Sequence, residues 1–386
     1  MTLGIDLEQF VTDPYGTGIQ RVLHQLALHW PDEIPASFIV PMGDRFAMLT
    51  CQQASQLLAL AFEPAGAQDD LRVRVRQYLD QLKVTTVALG ELLALHDGWF
   101  LPEVSYLPSV LQRLEIFARC VPTTMIGYDV LPMTEPGNYR FAPGTAAMVS
   151  QYFRMLATVD RVVAISEYAR SEILDVLRRD RGLVTVVAHP GADHVTAVRS
   201  ADRAAGEPVR FLRVGTMEAR KQPRELVEAF CAAVDAGAYA ELIFVGRPSA
   251  SDSSINRTLE QAIEGGYPIR WVRQASDEQV YRQMAEADLF LSFGTEGYGI
   301  PVLEALVLGT PVIYDGIQPA AALMEGKGAL WYPAVDPQAL SGMFTAFADR
   351  SAVRALHLAL GQSSVPTWQR FVSTVAQISI GRAQSQ

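Results

Sequence analysis

The stretch Leu289–Leu306, LFLSFGTEGYGIPVLEAL, restricts what this chain can become more than any other. Leu289 to Phe293 is an apolar run of strand length, Gly294 to Gly299 holds three glycines, and Pro301 opens a helical apolar pattern at Val302, Leu303 and Leu306. Strand, tight turn and helix start in that order belong to a parallel α/β sheet. The first turn of a helix leaves backbone N–H groups unpaired and carries partial positive charge, so a glycine turn that lets a ligand approach the main chain suits phosphate oxygens. The loop Gly297, Tyr298 and Gly299 is therefore expected to hold a diphosphate.

Two carboxylates flank that loop. Glu296 lies within it, and Glu304 sits about one turn into the helix, where side chains lean toward the N-terminus. A carboxylate repels phosphate, so both are expected to accept hydrogen bonds from hydroxyls, as in a sugar or a ribose. The ligand implied is a nucleotide sugar. A dinucleotide-dependent oxidoreductase shares the strand, turn and helix, and Asp315 after the next strand mimics the ribose-binding acid of that fingerprint. That alternative lacks the third glycine, since Val302 stands where a small residue would let helix meet strand. It also leaves Glu296 and the basic pair Arg220 and Lys221 without a task.

The segment FGTEGYGIPVLEAL resembles the E-x7-E stretch of the retaining GT-B glycosyltransferases, the family 4-like group 1 enzymes. The resemblance implies two Rossmann-like domains with parallel sheets facing an interdomain cleft, donor on the second domain and acceptor on the first. It implies that Glu296 contacts the donor sugar, that the Gly297–Gly299 amides hold the diphosphate, and that Glu304 binds ribose hydroxyls.

Length and composition are compatible with this. A chain of 386 residues, 49% hydrophobic and 19% charged, has core enough for two domains. No basic segment precedes an apolar core at the N-terminus and no uncharged apolar run is long enough to span a bilayer, so the reading is cytoplasmic, with peripheral membrane contact left open. Cys51, Cys120 and Cys231 are odd in number and far apart, which argues against a disulfide framework or a zinc site. A net charge of −10 argues against broad electrostatic binding to nucleic acid or anionic membrane and leaves room only for a local basic patch.

In chain order, Thr2 to Asp6 reads as a first strand. The turn Gly16-Thr17-Gly18 follows before a helix, and in the family a similar turn faces the cleft and admits the acceptor. Arg72, Arg74 and Arg76 lie on a helical pattern over Leu71–Leu82 and read as a solvated face. Glu91 to His96 and Thr123 to Gly127 read as strands, which puts Asp97 and the pair Tyr128-Asp129 on loops at the carboxyl edge of the sheet. Relatives often carry histidine where Tyr128 stands. Asp129 is the preferred residue to orient an acceptor hydroxyl, with Asp97 second, and each is equally readable as a turn or cap residue.

The first domain is expected over 1–195, a linker from Thr196 to Pro208, the second domain over 208–365, and a terminal helix in 366–386 packing back on the first. The second half opens VRFLRVGTMEARKQPRELVEAF, whose loop Gly215–Gln222 carries Arg220 and Lys221. Loops after neighbouring parallel strands converge, so this pair is expected at the diphosphate. Many relatives have arginine directly after the strand glycine, where this chain has Thr216. By resemblance, backbone near Arg273 touches the base.

The resulting expectation is a retaining hexosyltransferase acting without a metal or other cofactor. It would use a nucleotide-diphosphate sugar, GDP-mannose or a UDP- or dTDP-hexose, and a saccharide or glycolipid acceptor in bacterial polysaccharide or glycoconjugate assembly. The alternatives are a nucleotide-sugar epimerase of the same fold and a catalytically silent nucleotide-sugar-binding subunit.

Overall fold

The computed structural model describes residues 1–63, 70–139, 141, 144–177, 183–195, 206–334, 336–360 and 364–381. Most of the expected linker, 196–205, lies outside the described residues. The chain divides into two compact units, one of Met1–Pro132, Phe141–Pro190 and Thr367–Gln386, the other of Met133–Arg140 and Gly191–Pro366. Residues 133–140 and 191–195, which the sequence reading assigns to the first domain, thus group with the second unit.

The first unit is built on eight strands: β1 (Leu3–Asp6), β2 (Ala36–Met42), β3 (Arg45–Leu49), β4 (Thr86–Val87), β5 (Gly98–Leu101), β6 (Thr123–Gly127), β7 (Arg161–Ala164) and β8 (Val184–Val187). Their order is β4-β3-β2-β1-β5-β6-β7-β8. From β2 to β8 all neighbours run parallel, while β3 and β4 add an antiparallel edge that the all-parallel expectation did not contain. The central strands are buried along their whole length, and Trp99 stacks on Phe117 at 3.9 Å in the core beneath them. The terminal helix Trp368–Ser379 belongs to this unit, and it buries Trp368, Phe371, Val372, Val375 and Ile378.

One strand assignment is corrected. Glu91–His96 lies mostly within a helix, Leu89–Leu95, and the strand is the next segment, β5. The run LGELLAL satisfies both periodicities, and the helix wins because the Glu91 Oε2 accepts the Ala88 N–H at 2.7 Å, which starts the first turn. Asp97 consequently precedes β5. Its Oδ2 accepts the Thr2 N–H at 2.8 Å, at the amino ends of β1 and β5 and away from the carboxyl edge where acceptor chemistry was expected. The Leu71–Gln81 helix forms as its pattern predicts, but its arginines are not simply solvated: Arg72 pairs with Asp13 at 2.6 Å and Arg74 with Glu63 at 2.5 Å.

The second unit carries β9 (Val209–Val214), β10 (Ala240–Val245), β11 (Ile269–Val272), β12 (Leu289–Thr295), β13 (Val312–Ile317) and β14 (Ala329–Trp331). All pairs are parallel, in the order β11-β10-β9-β12-β13-β14. This is the doubly wound order, which reverses direction between its first and fourth strands. Here that place lies between β9 and β12. Helices cover the sheet because their starts are specified locally. Ser276 and Gln279 close a capping box, and the Asp336 Oδ1 accepts the Ala339 N–H at 2.7 Å ahead of Pro337. Phe211, Phe230 and Phe344 meet edge to face at about 5 Å beneath β9. Among the described residues, no helix is long and apolar enough to cross a membrane.

Candidate functional site

At the switch point of the second unit the sheet splits two βα loops. The loop after β9 turns through Gly215 into a short 3-10 turn at Ala219–Lys221 and the helix Pro223–Asp235. The loop after β12 runs through Glu296 to Gly299, which caps the helix Ile300–Val307 with φ +103°. The two touch closely. An added Cβ at Gly294 (φ +87°) would lie 1.9 Å from the Arg220 carbonyl oxygen, so only glycine lets the end of β12 pass against the basic turn.

That contact sets the electrostatics. The Lys221 Nζ lies 2.8 Å from the Glu296 Oε1 and the Arg220 Nη1 lies 2.9 Å from its Oε2, while the Arg220 Nη2 reaches Glu218 at 2.7 Å. Arg220 also donates to the Thr295 carbonyl at 2.5 Å. Burial by itself raises the Glu296 carboxyl, but Lys221, then Arg220 and Arg213, outweigh it and hold the group near a pKa of about 2. Burial, together with the neighbouring cations Arg220 and Arg213, pulls Lys221 below the usual lysine value despite Glu296. For Arg220, burial opposes the charge, and Glu296 and Glu218 more than offset it. The arrangement is a compact charged cluster in which Glu296 is seated on Lys221 and Arg220 and Glu218 holds Arg220 from the other side.

The remaining donor-side expectations are placed as follows. Glu304 is buried in the helix after the loop and meets His194 Nε2 at 3.0 Å and the Tyr281 hydroxyl at 3.4 Å, a partnership invisible to the sequence reading because the three residues are far apart in the chain. Tyr298 is buried, and Gly297 and Tyr298 lead directly into the helix start. Thr216 accepts the Glu218 N–H at 2.8 Å through its carbonyl, which shapes the basic loop. Arg273 lies at the end of β11 with its side chain on the surface, paired with Glu260 at 2.5 Å and stacked over Trp271. Asp315, the acid that suited the oxidoreductase alternative, is engaged by Trp331 Nε1 and the Ala334 N–H, both at 3.0 Å.

In the first unit the Gly16-Thr17-Gly18 turn is held from inside. The Gln20 Oε1 accepts the Tyr15 and Gly16 N–H groups at 2.8 and 2.9 Å, and Thr17 caps the helix Gly18–His29. Tyr128 is buried, and its hydroxyl donates to the Pro102 carbonyl at 2.8 Å. Asp129 accepts the Leu131 N–H at 3.1 Å, the turn-cap geometry open to it from the sequence. Sequence reasoning missed the charged groups at the carboxyl ends of β1 and β5. Asp6 and Glu8 share Arg113, at 2.6 and 2.7 Å. Glu103 accepts from Gln20 Nε2 at 3.1 Å, and burial raises its carboxyl to about 8. The signal for Glu103 was an acid two residues after the true strand, hidden by placing that strand one segment early.

Comparison with known proteins accounts for the second unit. A family model described as glycosyl transferases group 1 matches residues 208–347, the span from the start of β9 to beyond β14. The second unit carries a group 1 glycosyltransferase domain. The phosphatidyl-myo-inositol mannosyltransferase of Mycobacterium leprae is 25% identical over 210 residues, 53% of this chain and 54% of that protein. The O-antigen chain mannosyltransferase B of Escherichia coli is 26% identical over 245 residues, 59% of each. The chain thus spans about half the length of the curated relatives it matches. Among solved structures, Anabaena Alr3699/HepE in complex with UDP-glucose superposes with a TM-score of 0.61 at 16% identity, covering 98% of both chains. The N-terminal domain of Candida albicans trehalose-6-phosphate phosphatase gives 0.64 at 12%, covering 99% of this chain and 97% of that one. At such identities these likenesses speak to fold: it is GT-B, with the group 1 domain as its second Rossmann-like sheet.

Proposed function

We propose that this chain is a retaining glycosyltransferase that moves a hexose from a nucleotide-diphosphate sugar to a hydroxyl of a saccharide or glycolipid acceptor. One observation carries the reading: Lys221, Arg220 and Glu296 meet at the β9–β12 switch point, beside a glycine-capped helix start. Cations and helix amides stabilise the negative charge that grows on a departing diphosphate, and Glu296 accepts hydroxyls of the donor sugar. Glu304, oriented by His194 and Tyr281, is the acceptor for ribose hydroxyls. The likeness to two mannosyltransferases favours GDP-mannose, and the UDP-glucose complex of a structural neighbour keeps UDP-sugars in the trial set.

In this reading the bond to the diphosphate loosens first, and the acceptor hydroxyl attacks from the same face. Its proton passes to the departing phosphate oxygen, with Asp129 and the Gly16–Gly18 turn on the acceptor side. Lys221 and Arg220 beside the helix start support a reading in which side chains and amides stabilise the leaving group, so turnover is expected to survive EDTA. The decisive experiment incubates the chain with GDP-mannose, UDP-hexoses and dTDP-hexoses plus oligosaccharide acceptors and assigns the product anomer by NMR. Retention supports the proposal. Inversion would send the search for a base to Asp129, acceptor-independent isomerisation would favour the epimerase, and binding without turnover the silent subunit.

A further inference from the structure

Arg213 lies in the last turnward part of β9 and is buried to 4% exposure. Its Nη1 donates to the carbonyl of its own neighbour Val214 at 2.9 Å, and its Nη2 has no partner among the described residues. A buried arginine is rarely left with so little, since a desolvated donor without a partner loses its water and gains nothing in return. Its guanidinium interacts electrostatically with Glu296, Arg220 and Glu218, and it acts in turn on Lys221. The cluster therefore holds three cations, Arg213, Arg220 and Lys221, against two carboxylates, Glu218 and Glu296. Without Arg213 the two sides would cancel, and an incoming diphosphate would meet a neutral site.

We propose that Arg213 is a third cation of this anion site, a positioning residue that sets the field at Lys221 and Glu296 from beneath rather than by reaching the solvent side. The proposal rests on the reading of the cluster as a diphosphate site. Arg213 adds to the stronger effect of Lys221 and Arg220 in keeping Glu296 ionised, and it gives the cluster the one surplus positive charge that a diphosphate can use. Its second effect is on Lys221. The groups facing Lys221 are Glu296 after β12, Arg220 and Glu218 in its own turn, and Arg213 in β9. Of these, Arg213 and Arg220 both make the lysine easier to deprotonate. Removing Arg213 therefore both weakens the attraction for a diphosphate and lets Lys221 keep its proton to higher pH.

Calorimetric titration of UDP and of GDP into the wild-type chain, Arg213→Met and Arg213→Lys, each across neutral to alkaline pH, tests this. Wild type is expected to bind at least one nucleotide, with affinity declining as Lys221 deprotonates. Arg213→Met should bind about tenfold more weakly or worse, the scale of one charge pair a few ångströms apart in a partly screened site, and its decline should begin at higher pH. Arg213→Lys should stay close to wild type. Should the methionine variant lose its cooperative unfolding transition, Arg213→Gln takes its place. Unchanged affinity in the uncharged variant overturns the proposal, as does weakening shared equally by the lysine variant with no movement of the alkaline limb, the signature of packing alone. A wild-type chain that binds neither nucleotide removes the diphosphate reading itself, and this inference with it.

Discussion

Lys221 and Arg220 adjoin in sequence but hold different commitments. Arg220 is tied to Glu218, Glu296 and the Thr295 carbonyl, whereas the Lys221 Nζ pairs with Glu296 alone among the ion pairs described. Lys221 is thus the more available to a departing phosphate, and Lys221→Ala should lower turnover at saturating donor by on the order of 10²-fold, Arg220→Ala by less. Steady-state kinetics with whichever nucleotide sugar the donor screen selects check both. Glu296 makes an opposite prediction for binding and for catalysis. Glu296→Gln removes the internal anion, so UDP or GDP should bind as well or more tightly while turnover falls. It also has a signature in stability. A carboxylate whose folded-state pKa is depressed from 4.5 to about 2 contributes stability that is present above pH 4.5 and lost as pH falls through 2. The melting temperature of wild type should exceed that of Glu296→Gln at neutral pH, and the gap should close between pH 4.5 and 2. The residue-scale features of this cluster were legible because types and spacing carry them. Arg213 was not, since an arginine inside an apolar strand reads as an outward-facing interruption until the sheet shows which face is covered.

At the scale of elements, the corner from the end of β12 to the next helix works because two glycines, Gly294 in the strand and Gly299 in the loop, do different jobs. Gly299 takes a left-handed conformation with ordinary contacts around a prospective Cβ, the nearest at 3.7 Å. Gly299→Ala should therefore cost only backbone strain, about 1–2 kcal/mol. At Gly294 the added methyl would strike the Arg220 backbone at 1.9 Å, which no side-chain rotation relieves. Gly294→Ala should lower the melting temperature far more and, by pushing the 220–221 turn away, cost turnover at the same time. Thermal melts and kinetics on the pair separate strain from collision. The strand, turn and helix of this corner were readable from periodicity and Pro301, whereas Leu89–Leu95 was not. An apolar heptapeptide with one polar residue fits a strand and a short helix equally, and the capping carboxylate of Glu91 decides.

For the whole molecule, each unit has its own core and its own switch point. The terminal helix buries Trp368 completely within the first unit, while the Lys221, Arg220 and Glu296 cluster stands wholly in the second. Trp368→Ala should cost about 3–5 kcal/mol in the first unit through the lost transfer energy and the cavity left behind. Nucleotide affinity, which the proposed function places in the second unit, should change little. Denaturant melts read alongside UDP or GDP titration test the separation, and a parallel loss of affinity would show the two cores to be energetically coupled.

From the order of residues alone came the alternation of strands and helices, the glycine turn before Pro301, the basic turn at Arg220 and Lys221, and the place of Glu296 in the loop ahead of that helix. These are local, because periodicity, capping and loop chemistry act over a few residues. Tertiary structure alone decided that β12 inserts beside β9, which brings residues about 75 positions apart into ion-pair contact. It alone seated His194 against Glu304, moved Asp97 to the amino edge of the first sheet, and buried the Arg213 side chain. Sheet order and facing are global quantities, set by which packing buries most apolar surface, and no short window of sequence contains them.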